Sequence, residues 1–182
     1  METTEFYQYF HQKMEESQAN FYWELSYDES QKVYECFFML ESDLPESSSY
    51  KLMDTTGRVN TSQKLLLADR VAFYDSGISF IDPGFYLKSF EIDEEKGVEK
   101  GFLQAFIKYL HQLVNDHRLD LDDFLAQERQ VEEERFVFIW QDNHFNQTVD
   151  TLKDTGRYNF DRVTFEPLEK EEKSFIQKLL NK

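Results

Sequence analysis

The sequence predicts an α+β domain: a mainly antiparallel sheet with an N-terminal helix, a long central helix and C-terminal helices packed on it. Three observations lead there. Runs with the period-two alternation of strands crowd the first half, runs with helical spacing crowd the second, and short turns suited to hairpins separate adjoining strand-like runs.

The first element reads as a helix, because Thr3 or Thr4 can cap it and Phe6, Tyr9, Phe10 and Met14 recur at helical spacing. "FYWELSY" then alternates, with Phe21, Trp23, Leu25 and Tyr27 on one parity and Tyr22, Glu24 and Ser26 on the other. "DESQ" supplies a turn and "KVYECFFML" returns, which makes a β-hairpin. The returning strand is apolar on both parities from Cys36 to Leu40, so both of its faces call for cover.

Residues 42–63, "SDLPESSSYKLMDTTGRVNTSQ", are rich in Ser and Thr, hold Pro45 and Gly57, and carry no period; they are expected to form a long mobile loop. "KLLLADRVAFY" is next a strand, with Leu65, Leu67, Val71 and Phe73 on one parity and Asp69 intruding among them. "DSG" and "DPG" turn the chain around a short "ISFI", and "YLKSFEI" closes this group of strands.

The longest helix is expected from near Gly97, where Val98, Phe102, Ala105, Phe106, Tyr109, Leu110, Leu113 and Val114 follow an amphipathic stripe. A short second helix is expected after it, capped by Asp120 and stapled by Leu119 with Phe124. "ERFVFIW" (134–140) places five apolar residues side by side, which reads as a strand buried on both faces. "DNHFNQTVDTLKDTG" follows as a helix capped by Asp142 and stopped by Gly156, "RYNFDRVTFEP" as another strand, and "LEKEEKSFIQKLL" as a terminal helix.

At 182 residues the chain suits a single domain spanning 1–182, large enough to bury roughly 70% of its unfolded surface. The core is expected to be aromatic-rich, with 18 Phe, 10 Tyr and 2 Trp. The formal net charge of −16 opposes binding to phosphate backbones and anionic lipid, so neither direct nucleic-acid contact nor membrane binding is expected. The acid excess is concentrated early: residues 1–50 hold eleven Asp and Glu against Lys13 and Lys32 alone. A single cysteine, Cys36, forms no internal disulfide, and with no secretory or membrane-spanning pattern the expected location is cytoplasmic.

Chemistry-bearing patterns are sparse. His111 and His117 stand six apart, on different sides of a helix, and give no zinc spacing. "DHRLDLDDF" gathers Asp116, Asp120, Asp122 and Asp123, yet fails the EF-hand template, with Leu121 where that loop needs Gly and Gln127 where it needs Glu. The glycines never come closer than four apart, which excludes a phosphate loop, and no serine sits in G-x-S-x-G. No catalytic residue, metal or cofactor is therefore expected.

A resemblance adds context. "LADRVAFYDSGISFIDPGFYLKSFEIDEEKGVEKGFLQAFIKYLHQLV", with Trp23 and Leu25 of the hairpin, the "EKGVEKGF" helix start and "FVFIW" ending in Trp140, resembles a family of low-GC Gram-positive bacteria known as domain of unknown function 3013. The resemblance implies a cytoplasmic bacterial protein with no assigned activity, and it transfers no functional residues.

The expectation is thus a non-catalytic protein-binding or adaptor module that meets a protein partner or a second copy of itself through strands apolar on both faces. Val137 and Ile139 are the residues whose exposure would mark an interface. One alternative is an acidic mimic of nucleic acid that binds a basic partner. Another is a ligand-binding protein or enzyme with a pocket among Tyr22, Glu24, Arg70, Tyr74 and Trp140.

Overall fold

The computed structural model describes residues 4–44, 52–53, 64–126 and 134–166. Thr4 caps helix α1 (Glu5–Glu16): its side chain accepts the Tyr7 backbone N–H at 3.2 Å. Strands β1 (Tyr22–Asp28) and β2 (Val33–Asp43) form the expected hairpin, with Leu25 opposite Cys36. Strand β3 (Leu52–Met53) is short, and β4 (Lys64–Tyr74) pairs antiparallel with β2 along eleven positions.

Strand β5 (Lys88–Glu91) pairs parallel with β4, giving a mostly antiparallel sheet of order β1-β2-β4-β5. The parallel pairing departs from the hairpin expected there. The chain crosses back over the sheet between Asp75 and Leu87, through a 3-10 turn at Pro83–Phe85, and "ISFI" within that crossing is not a strand. Strand β6 (Val98–Glu99) leads into helix α2 (Lys100–Ala126); β7 (Glu134–Arg135), helix α3 (Asp142–Asp154) and β8 (Arg162–Val163) follow. Outside the main sheet, β3 pairs parallel with β7, and β6 antiparallel with β8.

Helices α1 and α2 cover one face of the sheet. Phe10 meets Phe73 at 6.3 Å and Phe106 at 5.9 Å, while Phe73 meets Phe106 at 5.1 Å, so a ring from each helix rests on the centre of β4. Helix α3 packs on α2 and reaches β5, where Phe145 lies 5.2 Å from Phe90. Phe6, Phe10, Cys36, Phe38, Leu67, Val71, Phe73 and Phe106 are fully buried, which makes this the aromatic core. The two glycines of "EKGVEKGF" have separate steric duties. Gly97 takes φ +70°, and a Cβ there would stand 2.3 Å from the Val163 carbonyl oxygen; a Cβ on Gly101 would stand 2.7 Å from the Tyr158 ring.

Several expected boundaries move. The central helix runs unbroken to Ala126, so Asp120 is no cap and Leu119 is exposed rather than stapled. No Gly or Pro interrupts residues 102–126, and continuing the helix buries His117 and Leu121. Asp142 is the first helical residue of α3 rather than its cap; Gln141 takes the cap position. Gly156, at φ +66°, does end that helix region. The expected strand across "RYNFDRVTFEP" shrinks to Arg162–Val163. Strand β2 extends through Asp43, and Leu52–Met53 pairs with β7, so the loop expected at 42–63 is shorter at its start and is interrupted. Residues 45–51 and 54–63 of that loop, and the expected helix from 168 onward, lie outside the described residues.

The expected strand at 134–140 is corrected most. Only Glu134 and Arg135 pair as a strand. Beyond Phe136, whose N–H reaches the Met53 carbonyl, helix α2 supplies acceptors that a neighbouring strand would otherwise provide. The Ile139 N–H donates to His117 Nε2 at 3.0 Å and the Gln141 N–H to the Tyr109 hydroxyl at 3.0 Å. Residues 136–140 are a ribbon laid on α2, with Phe138 buried against Phe38.

Candidate functional site

The face of the sheet turned away from the helices is set by strand parity. Pairing aligns Tyr22, Met39 and Ala68 in one row, Glu24, Phe37 and Arg70 in the next, and Asp28, Val33, Tyr74 and Glu91 at the far end. Glu35 lies between the last two rows on the same parity.

The crossing chain covers the far part of this face. Tyr86 donates its hydroxyl to Glu35 Oε1 at 2.5 Å, and Arg70 stands 3.6 Å from the same carboxylate and 5.9 Å from the Tyr86 ring. Burial, then the hydrogen bond to Glu35, push the Tyr86 phenol well above its ordinary value, so it stays a neutral donor. Ser79 Oγ donates to the Lys32 carbonyl, and the Phe80 N–H to the Gln31 carbonyl, which tie the crossing to the β1–β2 turn.

No described helix covers the near part. Tyr22 is 52% exposed and Leu66 46%, and Phe37 and Met39 are half-buried beside them. The Tyr22 ring packs edge-on against Phe37 at 6.0 Å, and its hydroxyl donates to Glu24 Oε2 at 3.1 Å, which raises its pKa. Glu24, Arg70 and the Glu41–Lys64 ion pair stand beside the apolar side chains, giving an apolar patch with a rim of mixed charge. The crossing chain also presents the rings of Phe80 and Phe85, both more than three-quarters exposed.

The seven residues singled out from sequence therefore divide between two places. Tyr22, Glu24, Arg70 and Tyr74 share the open face, although Tyr74 stands at its covered end. Trp140 is on the helix side, with its ring 4.6 Å from Tyr109 and its indole N–H donating to Asp142 Oδ1 at 3.0 Å. Lys88 donates to the same oxygen at 2.6 Å, and that contact, followed by the indole, holds the Asp142 carboxyl below its usual range. A pocket joining Trp140 to Tyr22 and Glu24 does not form. Val137 is half-buried and Ile139 exposed, but both belong to the ribbon on α2. Sequence reading missed Phe37, Met39 and Leu66 as site residues; the signal was that "CFFML" and "KLLLA" carry apolar residues on the parity opposite the core.

Cys36 is fully buried and its thiol pKa is pushed far up, so it is unreactive in the folded state. Among the described residues no three His, Cys, Asp or Glu side chains gather as a metal site, and no helix is long and apolar enough to cross a membrane.

The model of the family "Protein of unknown function (DUF3013)" matches residues 1–162. The chain belongs to the DUF3013 family. A solved structure described as a conserved protein of unknown function from Enterococcus faecalis shares its fold, with TM-score 0.71 and 21% identity over 90% of this chain and 97% of that one. No curated protein matches it. This DUF3013 chain is thus an α+β protein of a bacterial family.

Proposed function

We propose that this DUF3013 protein is a non-catalytic, cytoplasmic protein-binding module that docks a partner on the near half of the open sheet face. One observation carries the reading: Tyr22 and Leu66 stand exposed on full-length antiparallel strands, with Phe37 and Met39 half-buried between them. The paired backbone holds these side chains in place before binding, so little ordering entropy opposes association. A single buried thiol suits a reducing compartment.

The rim defines the partner's chemistry. Glu24, Arg70 and the Glu41–Lys64 pair border the patch, so the complementary surface is apolar with polar groups around it, and the chain's net charge of −16 favours a basic partner at long range. A second copy carries the same net charge of −16, so long-range repulsion opposes a twofold interface. A lone ionic attraction would fade as salt screens it, whereas an apolar contact persists.

The test is capture from native lysate at low and high salt with wild type and with Leu66→Glu, whose exposed position spares the core. A protein retained by wild type in high salt and lost by Leu66→Glu supports the reading. Capture lost in moderate salt and indifferent to Leu66 favours an acidic mimic. Identical capture by both forms, or none by either, rejects the sheet face as the docking surface, and sedimentation of wild type as a dimer would replace the foreign partner with a second copy.

A further inference from the structure

We propose that the outer surface of α2 binds, on Lys108, a small molecule bearing an oxyanion group, phosphate or carboxylate. Two concavities of about 310 and 300 Å³ lie on either side of this lysine, and it lines both. Lys13, Ser17 and His111 stand on the α1 side, His144 and Thr151 on the α3 side. Neither lining contains an Asp or Glu, in a chain with 36 acidic residues and 20 basic ones. This is therefore a donor-rich exception on an acidic protein.

Helix geometry explains why Lys108 is available. Its neighbours one turn away in each direction are Gln104 and Gln112, so its own helix offers no carboxylate at either i±4 position. Lys13 differs: it pairs with Glu16 at 2.5 Å, so it contributes a charge already shared with an acid.

The Ser17–His111 contact of 2.8 Å has the residue types of a hydrolytic pair but the wrong polarity. Ser17 Oγ donates its single proton to the Met14 carbonyl at 2.6 Å, so His111 Nε2 must carry the hydrogen that joins them. The imidazole is a donor here and does not activate the serine as a nucleophile. Burial also lowers the His111 pKa, which keeps the ring neutral and leaves the lysines as the charged groups of the groove. The arrangement suits binding rather than bond cleavage.

The net charge of −16 does not forbid this. At physiological salt the Debye length is about 8 Å, so distant carboxylates are screened while an anion touching Lys108 is not. Each concavity is open to solvent and at the lower end of the range used by small ligands, roughly 300–1,000 Å³, so it suits the head group of a small anion.

The experiment uses the full chain and two probes, inorganic pyrophosphate and citrate, followed by calorimetry and thermal shift at constant ionic strength set with NaCl. Saturable binding by either probe, weakened at least fivefold in Lys108→Ala and kept in Lys108→Arg, supports the groove, and the probe that binds identifies phosphate or carboxylate as the head group. Absence of saturable binding by both, or binding equal in wild type and Lys108→Ala, overturns it. The sheet-face proposal is unaffected by either result, because Leu66→Glu leaves the groove intact.

Discussion

His117 Nε2 accepts the Ile139 backbone N–H at 3.0 Å, while Nδ1 of the same ring stands 2.8 Å from the Leu113 carbonyl. The two contacts fix the tautomer: Nε2 bears no hydrogen because it accepts, and Nδ1–H donates back to the helix. The ring is buried against Phe138 at 5.0 Å, so this histidine fastens the 136–140 ribbon to α2. His117→Ala removes the acceptor and the packing of the buried ring; the Ile139 N–H, in a part-buried bond, can then turn to water, so the lost hydrogen bond costs about 1 kcal/mol and the emptied ring site adds to it. Urea denaturation should show that loss, with hydrogen exchange at Ile139 accelerated more than at β2 amides. Unchanged exchange at Ile139 would mean that another acceptor takes over.

The two glycines with positive φ allow a comparison of strain with and without collision. Gly97 and Gly156 both have positive φ, +70° and +66°, but a Cβ at Gly97 meets the Val163 carbonyl oxygen while one at Gly156 meets nothing within 4 Å. Gly156→Ala should cost only the left-handed penalty of roughly 1–2 kcal/mol. Gly97→Ala should cost clearly more, since the β6–β8 ladder must also open. Equal chemical-denaturation midpoints for the two variants would refute the steric account.

Strand parity predicts a sharp contrast between neighbours in β4. Leu67 is fully buried beneath the helices, and its replacement by Ala should cost about 2–5 kcal/mol. Leu66, one residue away, points to the open face opposite Glu41, so Leu66→Glu should cost about 1 kcal/mol or less, from the like-charge pair it creates, well under the cost at Leu67. Thermal melts of the two variants check this directly.

How much of this was legible in the sequence follows from the range of the forces involved. The cap at Thr4, the β1–β2 hairpin and the stripe of α2 were readable because capping, alternation and helical spacing act within a few residues. The ribbon at 136–140 was misread because its apolar pattern is the same whether its N–H groups find a strand or the side chains of His117 and Tyr109. The acceptors come from residues over twenty positions earlier, and nothing local to "FVFIW" announces them. The parallel pairing of β5 was hidden likewise: turn residues after Tyr74 suggest reversal, yet the crossing over Glu35 and Arg70 restores the direction of β4. Open-face residues could be sorted by parity, but which part the crossing leaves bare required its path in space.

Asp69 tests the cost of a carboxylate placed on the core parity. It sits between Leu67 and Val71 on the helix-facing side of β4, opposite Phe38, and burial raises its pKa above the ordinary 3.8 despite the 2.8 Å hydrogen bond it accepts from the Arg70 N–H. A raised folded-state value means the ionised form is disfavoured by folding. Above the folded pKa that penalty is fully present; as the pH falls through it towards 3.8 the group takes up a proton more readily in the folded state, and the penalty disappears. Asn keeps a carbonyl to accept from Arg70 and carries no charge. Asp69→Asn should therefore melt higher than wild type at pH 7, with the advantage shrinking in acid and gone below the unfolded-state value. A constant difference across the pH range would show that shape rather than ionisation distinguishes the two side chains.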